Sequence, residues 1–218
     1  MRPRFPRIAT IVLAAGASAR MGRPKMLLPV GDQTLLAAAV APHLEAGIGR
    51  VIVVLGKDAA RIRDEAGLPD DPRVEVVVHR RWREGMSSSL RRGLRACGDA
   101  EAVLIALGDQ PGVTAARVRL VAGAFDGDTA TPLVVPRTSV ARASHPVLFA
   151  RCLWEDLRAL RGDIGAREVV RRNWARAVWV DVPRIHDVDD ADDYRGFLEG
   201  RPAPEDGLEA PGRASRRR

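Results

Sequence analysis

The run Ile8-Ala9-Thr10-Ile11-Val12-Leu13 passes directly into Ala14-Ala15-Gly16-Ala17-Ser18-Ala19-Arg20-Met21-Gly22-Arg23-Pro24-Lys25. Six apolar and β-branched residues bounded by a Gly-containing turn read as a strand buried on both faces, as parallel strands are. The small residues after it let backbone approach a ligand closely, and successive N–H groups there can form a nest for an anion. Arg20 and Lys25 bring two cations to the same place. The loop is neither a P-loop, for no Gly-Lys-Ser/Thr ends it, nor a Gly-x-Gly-x-x-Gly dinucleotide turn. Arg2, Arg4 and Arg7 before the apolar run, with Ala17-Ser18-Ala19 after it, also imitate a secretory signal. Cleavage there would rob the rest of the chain of its first strand, so the stretch is read as structure and the protein as cytoplasmic.

The same rhythm continues outward. Strands are expected at residues 51–55, 74–78, 102–107, 133–135, 147–149 and 178–182. Helices are expected at 33–46, at 58–66 with an Asp cap, at 87–97 with Ser caps, at 114–125 with Thr114 as cap, and at 152–160, 166–172 and 190–198. Strand–helix alternation of this kind implies one α/β domain, mostly parallel in its sheet, with helices on both faces and a more antiparallel section near 133–149. Beyond Gly200, Pro, Gly, Arg and Glu replace the apolar periodicity. The expected division is therefore a domain at 1–199 and a disordered tail at 200–218.

The 218-residue chain is 46% hydrophobic, enough for a sizeable core, yet no apolar run reaches the roughly 18 residues of a membrane span. Two cysteines exclude a disulfide framework and a four-thiolate zinc site. A net charge of +7 suits a phosphate-bearing partner. Only Lys25 and Lys57 are lysines among the 35 basic residues, so much of the charge reflects an arginine-rich composition. No nucleic-acid module or aromatic-basic stripe accompanies it, and nucleic acid is not the expected partner.

Asp109, freed from the strand 102–107 by Gly108, is expected at the carboxyl end of a central strand, where open α/β sheets bind ligands. A carboxylate there can hold Mg²⁺ against nucleotide phosphates. Ser87, Ser88 and Ser89 bring three hydroxyls to a helix start, more than a cap requires. In Asp187-Val188-Asp189-Asp190-Ala191-Asp192-Asp193, one acid caps the last helix and another is free to serve a site.

Placed in full, the stretch from Leu13 to Lys25 resembles the nucleotidyltransferase signature Leu-Ala-Ala-Gly-x-Ser-x-Arg-Met-Gly-x-x-Lys. More narrowly, the chain is similar to the molybdenum cofactor cytidylyltransferases. Gly85-Met86-Ser87-Ser88-Ser89-Leu90, Gly108-Asp109-Gln110-Pro111, His145-Pro146-Val147-Leu148-Phe149 and Gly162-Asp163-Ile164-Gly165-Ala166-Arg167 agree, in order. The resemblance implies a Rossmann-like nucleotidyltransferase fold and Mg²⁺-dependent transfer of CMP from CTP to the terminal phosphate of a molybdopterin-type cofactor. It implies catalytic roles for Arg20, Lys25 and Asp109. Metal ligation falls to Asp109 and an acid of the Asp-x-Asp pattern, Asp189 being preferred to Asp187. Leu13, Ala14, Ala15, Gly16, Ser87, Ser88, Ser89 and Gly108 would form the nucleotide site. His145 and residues 162–167 would serve the pterin, with Arg137, Arg142 and Arg167 as candidate phosphate partners. Ser144 stands where relatives often have Gly. Ala at position 15 accompanies CTP use in the resembling enzymes, whereas Gly there accompanies GTP. The rivals are guanylyl transfer to the same pterin, nucleotidyl transfer to a sugar or alcohol phosphate, and a non-catalytic pterin carrier. Transient contact with a client molybdoenzyme is a further expectation.

Overall fold

The computed structural model describes residues 7–18, 21–138 and 143–203. A seven-stranded sheet forms from β1 (Ile8–Ala14), β4 (Val51–Leu55), β5 (Val74–Val78), β6 (Ala102–Leu107), β7 (Leu133–Arg137), β8 (Val147–Ala150) and β9 (Ala177–Asp181). Its order is β5-β4-β1-β6-β8-β7-β9. Every pairing is parallel except those of β8 with β6 and β7, which fits the antiparallel section expected near 133–149. The apolar run that opens the chain lies near the centre, its register set by Ile11 opposite Ile52 on one side and Ile105 on the other.

Strand alternation distributes side chains to two faces. From β1, Ala9 and Ile11 pack under α3 (Met86–Ala96), α5 (Trp154–Ala159) and α6 (Arg167–Arg172), in a core holding Leu90, Leu94, Trp154 and Leu157. Val12 and Ala14 point the other way, to α1 (Leu35–Glu45) and α2 (Ala59–Glu65). Farther along that second face, Leu104 and Leu148 meet Val118 and Val121 of α4 (Ala115–Gly123). The last helix, α7 (Ala191–Leu198), closes a small cluster of Leu28, Leu35 and Val188. Helices thus cover both faces, in a Rossmann-like nucleotidyltransferase fold.

Three local expectations are corrected. Residues 33–34 are not helical: they form β3 (Gln33–Thr34), paired in a hairpin with β2 (Pro29–Val30), and the Thr34 hydroxyl accepts from the Ala37 N–H at 3.2 Å to start α1. Asp58 precedes α2 with φ of 55° and gives no side-chain cap, because the chain must turn sharply after β4. At α3 the cap position is Gly85, so the three serines lie inside the helix and are buried rather than capping it. Thr114 caps α4, and Asp190 caps α7 in a reciprocal box with Asp193.

The expected boundary at residue 199 falls inside a docked turn. The Arg201 N–H donates to the Gly196 carbonyl at 2.9 Å, and the Arg201 carbonyl meets the His186 ring at 2.7 Å. Residues 204–218 lie outside the described residues. Among the described residues no helix is long and apolar enough to cross a membrane.

Candidate active site

Parallel pairing puts the carboxyl ends of β1, β4, β6, β7 and β9 on one rim, and the reversed β8 begins there. The chain returns from β5 to the far side of β1 to make β6, so the crevice between the loops after β1 and β6 lies at the topological switch point.

Three segments converge in that crevice. Lys25 opens a single 3₁₀ turn (Lys25–Leu27), its N–H held by the Ser18 hydroxyl at 3.2 Å. Its buried ammonium donates to Asp109 Oδ2 at 2.7 Å, to Asp189 Oδ1 at 3.0 Å and to the Val188 carbonyl at 3.0 Å. All three ammonium protons are therefore engaged. Asp109 comes from the end of β6, where a Cβ on Gly108 would stand 2.9 Å from the Ala14 methyl; only glycine allows so close a passage. Asp189 is positioned by three restraints. Fully buried Val188 anchors the loop, the Val188 N–H donates to the Asp109 carbonyl at 2.9 Å, and the Asp189 N–H donates to Asp193 at 3.1 Å.

Burial opposes the charge on Lys25, but Asp109 and Asp189 together outweigh it and hold the ammonium above its ordinary range. Burial raises the Asp109 carboxyl, with the like charge of Asp189 adding to it and Lys25 opposing. The second oxygen of Asp109, Oδ1, is buried with no hydrogen-bond partner among the described residues. Such an orphaned carboxylate oxygen beside a second carboxylate is what a hard divalent cation needs. No group of three or more His, Cys, Asp or Glu gathers among the described residues. A two-carboxylate site suits Mg²⁺, which keeps several waters and borrows phosphate oxygens from its substrate.

The cluster lies in the wall of one cavity, and a second cavity adjoins the first. One, of about 590 Å³, is lined by Leu13, Ala14, Ala15, Gly16, Lys25, Ser89, Asp109 and Asp189. Ala15 is buried, its methyl close to where a Cβ on Gly56 would lie, at 2.9 Å. Ser87 and Ser88 are turned away from this space. The Ser87 hydroxyl donates to the Gly162 carbonyl at 2.8 Å, and that of Ser88 to the Gly85 carbonyl at 2.7 Å. The other cavity, of about 550 Å³, is lined by Ser144, His145, Phe149, Ile164 and Arg167. Leu13, Met86, Leu107 and Asp163 border both. The partition is tightly joined, since Gly85 has φ of +94° and a Cβ on it would lie 2.4 Å from Gly162 backbone.

Two residues that hold the second cavity's wall from behind received no role in the sequence reading. Buried Arg117 donates to the Ser144 hydroxyl at 2.7 Å and to the Pro183 carbonyl at 2.8 Å. Gln110 bonds Asp187 and lies 3.4 Å from His145 Nδ1. Asp187 thus belongs to this network, while Asp189 joins Lys25. Burial, partly offset by Asp187, lowers Arg117 to about 10; burial together with Arg117 and Arg167 lowers His145 to about 4 and keeps it neutral. The spacing Val113, Arg117, Val121 puts Arg117 on the buried stripe of α4, a signal that an internal arginine was present. Arg137 is paired with Asp181 at 2.7 Å, Arg167 lines the second cavity, and Arg20 and Arg142 lie outside the described residues.

Residues 10–178 match the MobA-like NTP transferase domain, and the chain belongs to that family of nucleotidyltransferases. It is 35% identical over 175 residues to nicotine blue oxidoreductase of Paenarthrobacter nicotinovorans, covering 77% of this chain and 83% of that one. The crystal structure of Rv0371c from Mycobacterium tuberculosis superposes with a TM-score of 0.77 at 35% identity, over 90% of this chain and all of the other. A structure of Rv0371c in complex with manganese matches with a TM-score of 0.71 at 32% identity, covering 88% of this chain and 98% of that one.

Proposed function

We propose that this nucleotidyltransferase moves CMP from CTP to the terminal phosphate of a molybdopterin-type cofactor, with release of pyrophosphate, in the cytoplasm. The observation that carries the reading is the Lys25 ammonium bridging Asp109 and Asp189 in the wall of one cavity, which a second cavity adjoins across Leu13, Met86, Leu107 and Asp163. One cavity takes the nucleotide and the other the acceptor. An acceptor phosphate oxygen forms a bond to the α-phosphorus in line as the α–β bridging P–O bond breaks, and the electron pair leaves with pyrophosphate. No general base is required, because a phosphate monoester is already largely ionised at pH 7.

The chain's own work is positioning and charge neutralisation. Residues 13–16 line the nucleotide cavity, and Lys25, together with Arg20, meets the triphosphate. For Lys25 to reach a phosphate oxygen, one of its three present acceptors must be exchanged. Asp109 and Asp189 would hold Mg²⁺, with the orphaned Asp109 oxygen as the readiest ligand. That cation, when bound, lowers the charge on the triphosphate and its leaving group. His145, kept neutral, and Arg167 face the acceptor; Arg117 and Gln110 hold their surroundings in place.

The manganese complex of Rv0371c supports a divalent-metal requirement, and the family supports nucleotidyl transfer. Incubation with each nucleoside triphosphate, Mg²⁺ and molybdopterin cofactor, followed by mass analysis of the pterin, tests the reading. A product heavier by CMP is expected. A GMP adduct would reassign the base, and turnover only with a sugar or alcohol phosphate would reassign the acceptor. Absence of any adduct, with the pterin retained by the protein, would favour a carrier. Because one relative bears a redox name, oxidation of reduced nicotinamide with a quinonoid acceptor belongs in the same assay and should give no signal.

A further inference from the structure

Behind the turn that walls the nucleotide cavity lies a groove of about 500 Å³ that takes no part in the cluster above. It is bounded by His79, Arg80 and Arg81 after β5 and by Arg91, Arg92 and Arg95 on the outer side of α3. An arginine-rich chain will scatter guanidinium groups everywhere, so number alone means little. Elsewhere on the surface, however, many are matched to acids, as Arg50 to Glu75, Arg61 to Glu65, Arg73 to Asp71, Arg158 to Glu155, Arg172 to Glu168 and Arg195 to Asp192, and others, such as Arg119, Arg151 and Arg161, are held by backbone carbonyls. In the groove Glu84 alone is acidic, and it is taken by Arg81. Arg91 is held by the Ser87 hydroxyl and the Leu160 carbonyl. Among the described residues Arg80, Arg92 and Arg95 reach no carboxylate.

From this convergence we infer an oligophosphate-binding site, distinct from the nucleotide cavity, that takes pyrophosphate or the phosphate tail of a nucleotide. Forked guanidinium groups suit phosphate oxygens, and a concave space of this size suits a small ligand. Apart from the His79 imidazole the groove offers no ring on which a base could stack. His79 spends its own N–H within the groove wall. The Ser88 hydroxyl gives its proton to the Gly85 carbonyl at 2.7 Å, so across the 2.8 Å contact it accepts from His79 Nε2–H. Burial, with the guanidinium groups of Arg92, Arg91 and Arg81, holds His79 below its ordinary range against Glu84. Because Glu84 and the first turn of α3 border both spaces, an anion in the groove sits one helical turn from the nucleotide.

The test is calorimetric titration of the full chain with sodium pyrophosphate, without metal or nucleotide, for the native protein and for Arg92→Gln/Arg95→Gln. Glutamine keeps helix propensity at these outer positions, so the melting temperature should stay within a few degrees. Because pyrophosphate is also the proposed product at the nucleotide cavity, two sites are expected in the native protein, and the groove site should be at least tenfold weaker in the variant. CTP titrated in parallel separates the sources: a matching groove-dependent loss means that a nucleotide tail suffices, and loss for pyrophosphate alone means the free anion. Equal pyrophosphate affinity in both proteins, or no binding to the native one, would overturn the site. A polyglutamate peptide that binds more tightly than pyrophosphate and depends on the same arginines would also overturn it, in favour of an acidic protein partner. None of these outcomes depends on which nucleotidyl acceptor the enzyme uses.

Discussion

The two cavities that share Leu13, Met86, Leu107 and Asp163 are built differently. The nucleotide side rests on β1, β4 and β6, parallel strands with fully buried centres, and its ligand-facing groups follow directly from strand ends. The acceptor side is assembled from the start of the reversed β8, the short helix α6 and loops bonded to one another through Arg117 and Gln110. A site for a common triphosphate can be rigid, whereas a site for a specialised acceptor is built from parts that vary without disturbing the central sheet. If so, damage on the first side should appear in turnover or folding, and damage on the second in acceptor affinity.

The largest effect should come from Asp109→Asn. Size is kept and the charge that binds metal is lost, so turnover should fall by roughly 10³-fold or more, equivalent to several kcal/mol. Near-normal turnover at ordinary Mg²⁺, with circular dichroism unchanged, would place the metal elsewhere.

Beneath the nucleotide side, His43 on α1 is fully buried with neither ring nitrogen bonded among the described residues, and burial lowers it from 6.5 to about 4. The unfolded chain therefore takes up this proton first. Its stabilising contribution is complete above pH 6.5 and is lost as pH falls toward 4, by roughly 1.4 kcal/mol per unit and about 3 kcal/mol in all. Chemical denaturation from pH 7 to pH 4 should show that slope with the like share of buried His145 added to it, and His43→Leu should remove about half.

Gly85→Ala attacks the join between the two sides. The positive φ and the 2.4 Å approach to Gly162 predict a loss of about 1–3 kcal/mol and weaker binding of both substrates. If only nucleotide binding suffered, the sides would be less coupled than their shared wall implies.

The smallest effect concerns the base. Ala15→Gly should raise kcat/KM for GTP relative to CTP by no more than the 1–3 kcal/mol one methyl group supplies, roughly tenfold. Since that methyl is buried near Gly56, the change acts by relaxing the loop as much as by opening space. An unchanged ratio in competition kinetics would move base selection to Ser89 and its neighbours.

The central strands were readable from sequence because burial on both faces leaves an uninterrupted apolar run, as at residues 51–55 and 102–107. Asp109 was readable because it follows such a run after glycine. What escaped was tertiary. The hairpin partner of Gln33–Thr34, the Gly162 carbonyl that takes the Ser87 hydroxyl, and the Ser144 and Pro183 acceptors of Arg117 lie 4 to 75 or so positions away in the chain. Such partners leave no local period. Asp189 and Asp187 show the same limit: two residues apart, they serve different networks, and only the buried Val188 between them decides which side each faces.

The reversal of β8 has a consequence for how this scaffold can be altered. In a wholly parallel sheet only outgoing loops reach the ligand rim, and each feeds a crossover helix that limits its length. Here β7 and β8 are antiparallel neighbours, so the segment between Arg137 and Val147 starts and ends on that rim. It can be exchanged like a cassette, longer or shorter, with both ends anchored in the ladder. Transplanting this segment between relatives is therefore the most economical route to a new acceptor with the nucleotide chemistry left intact.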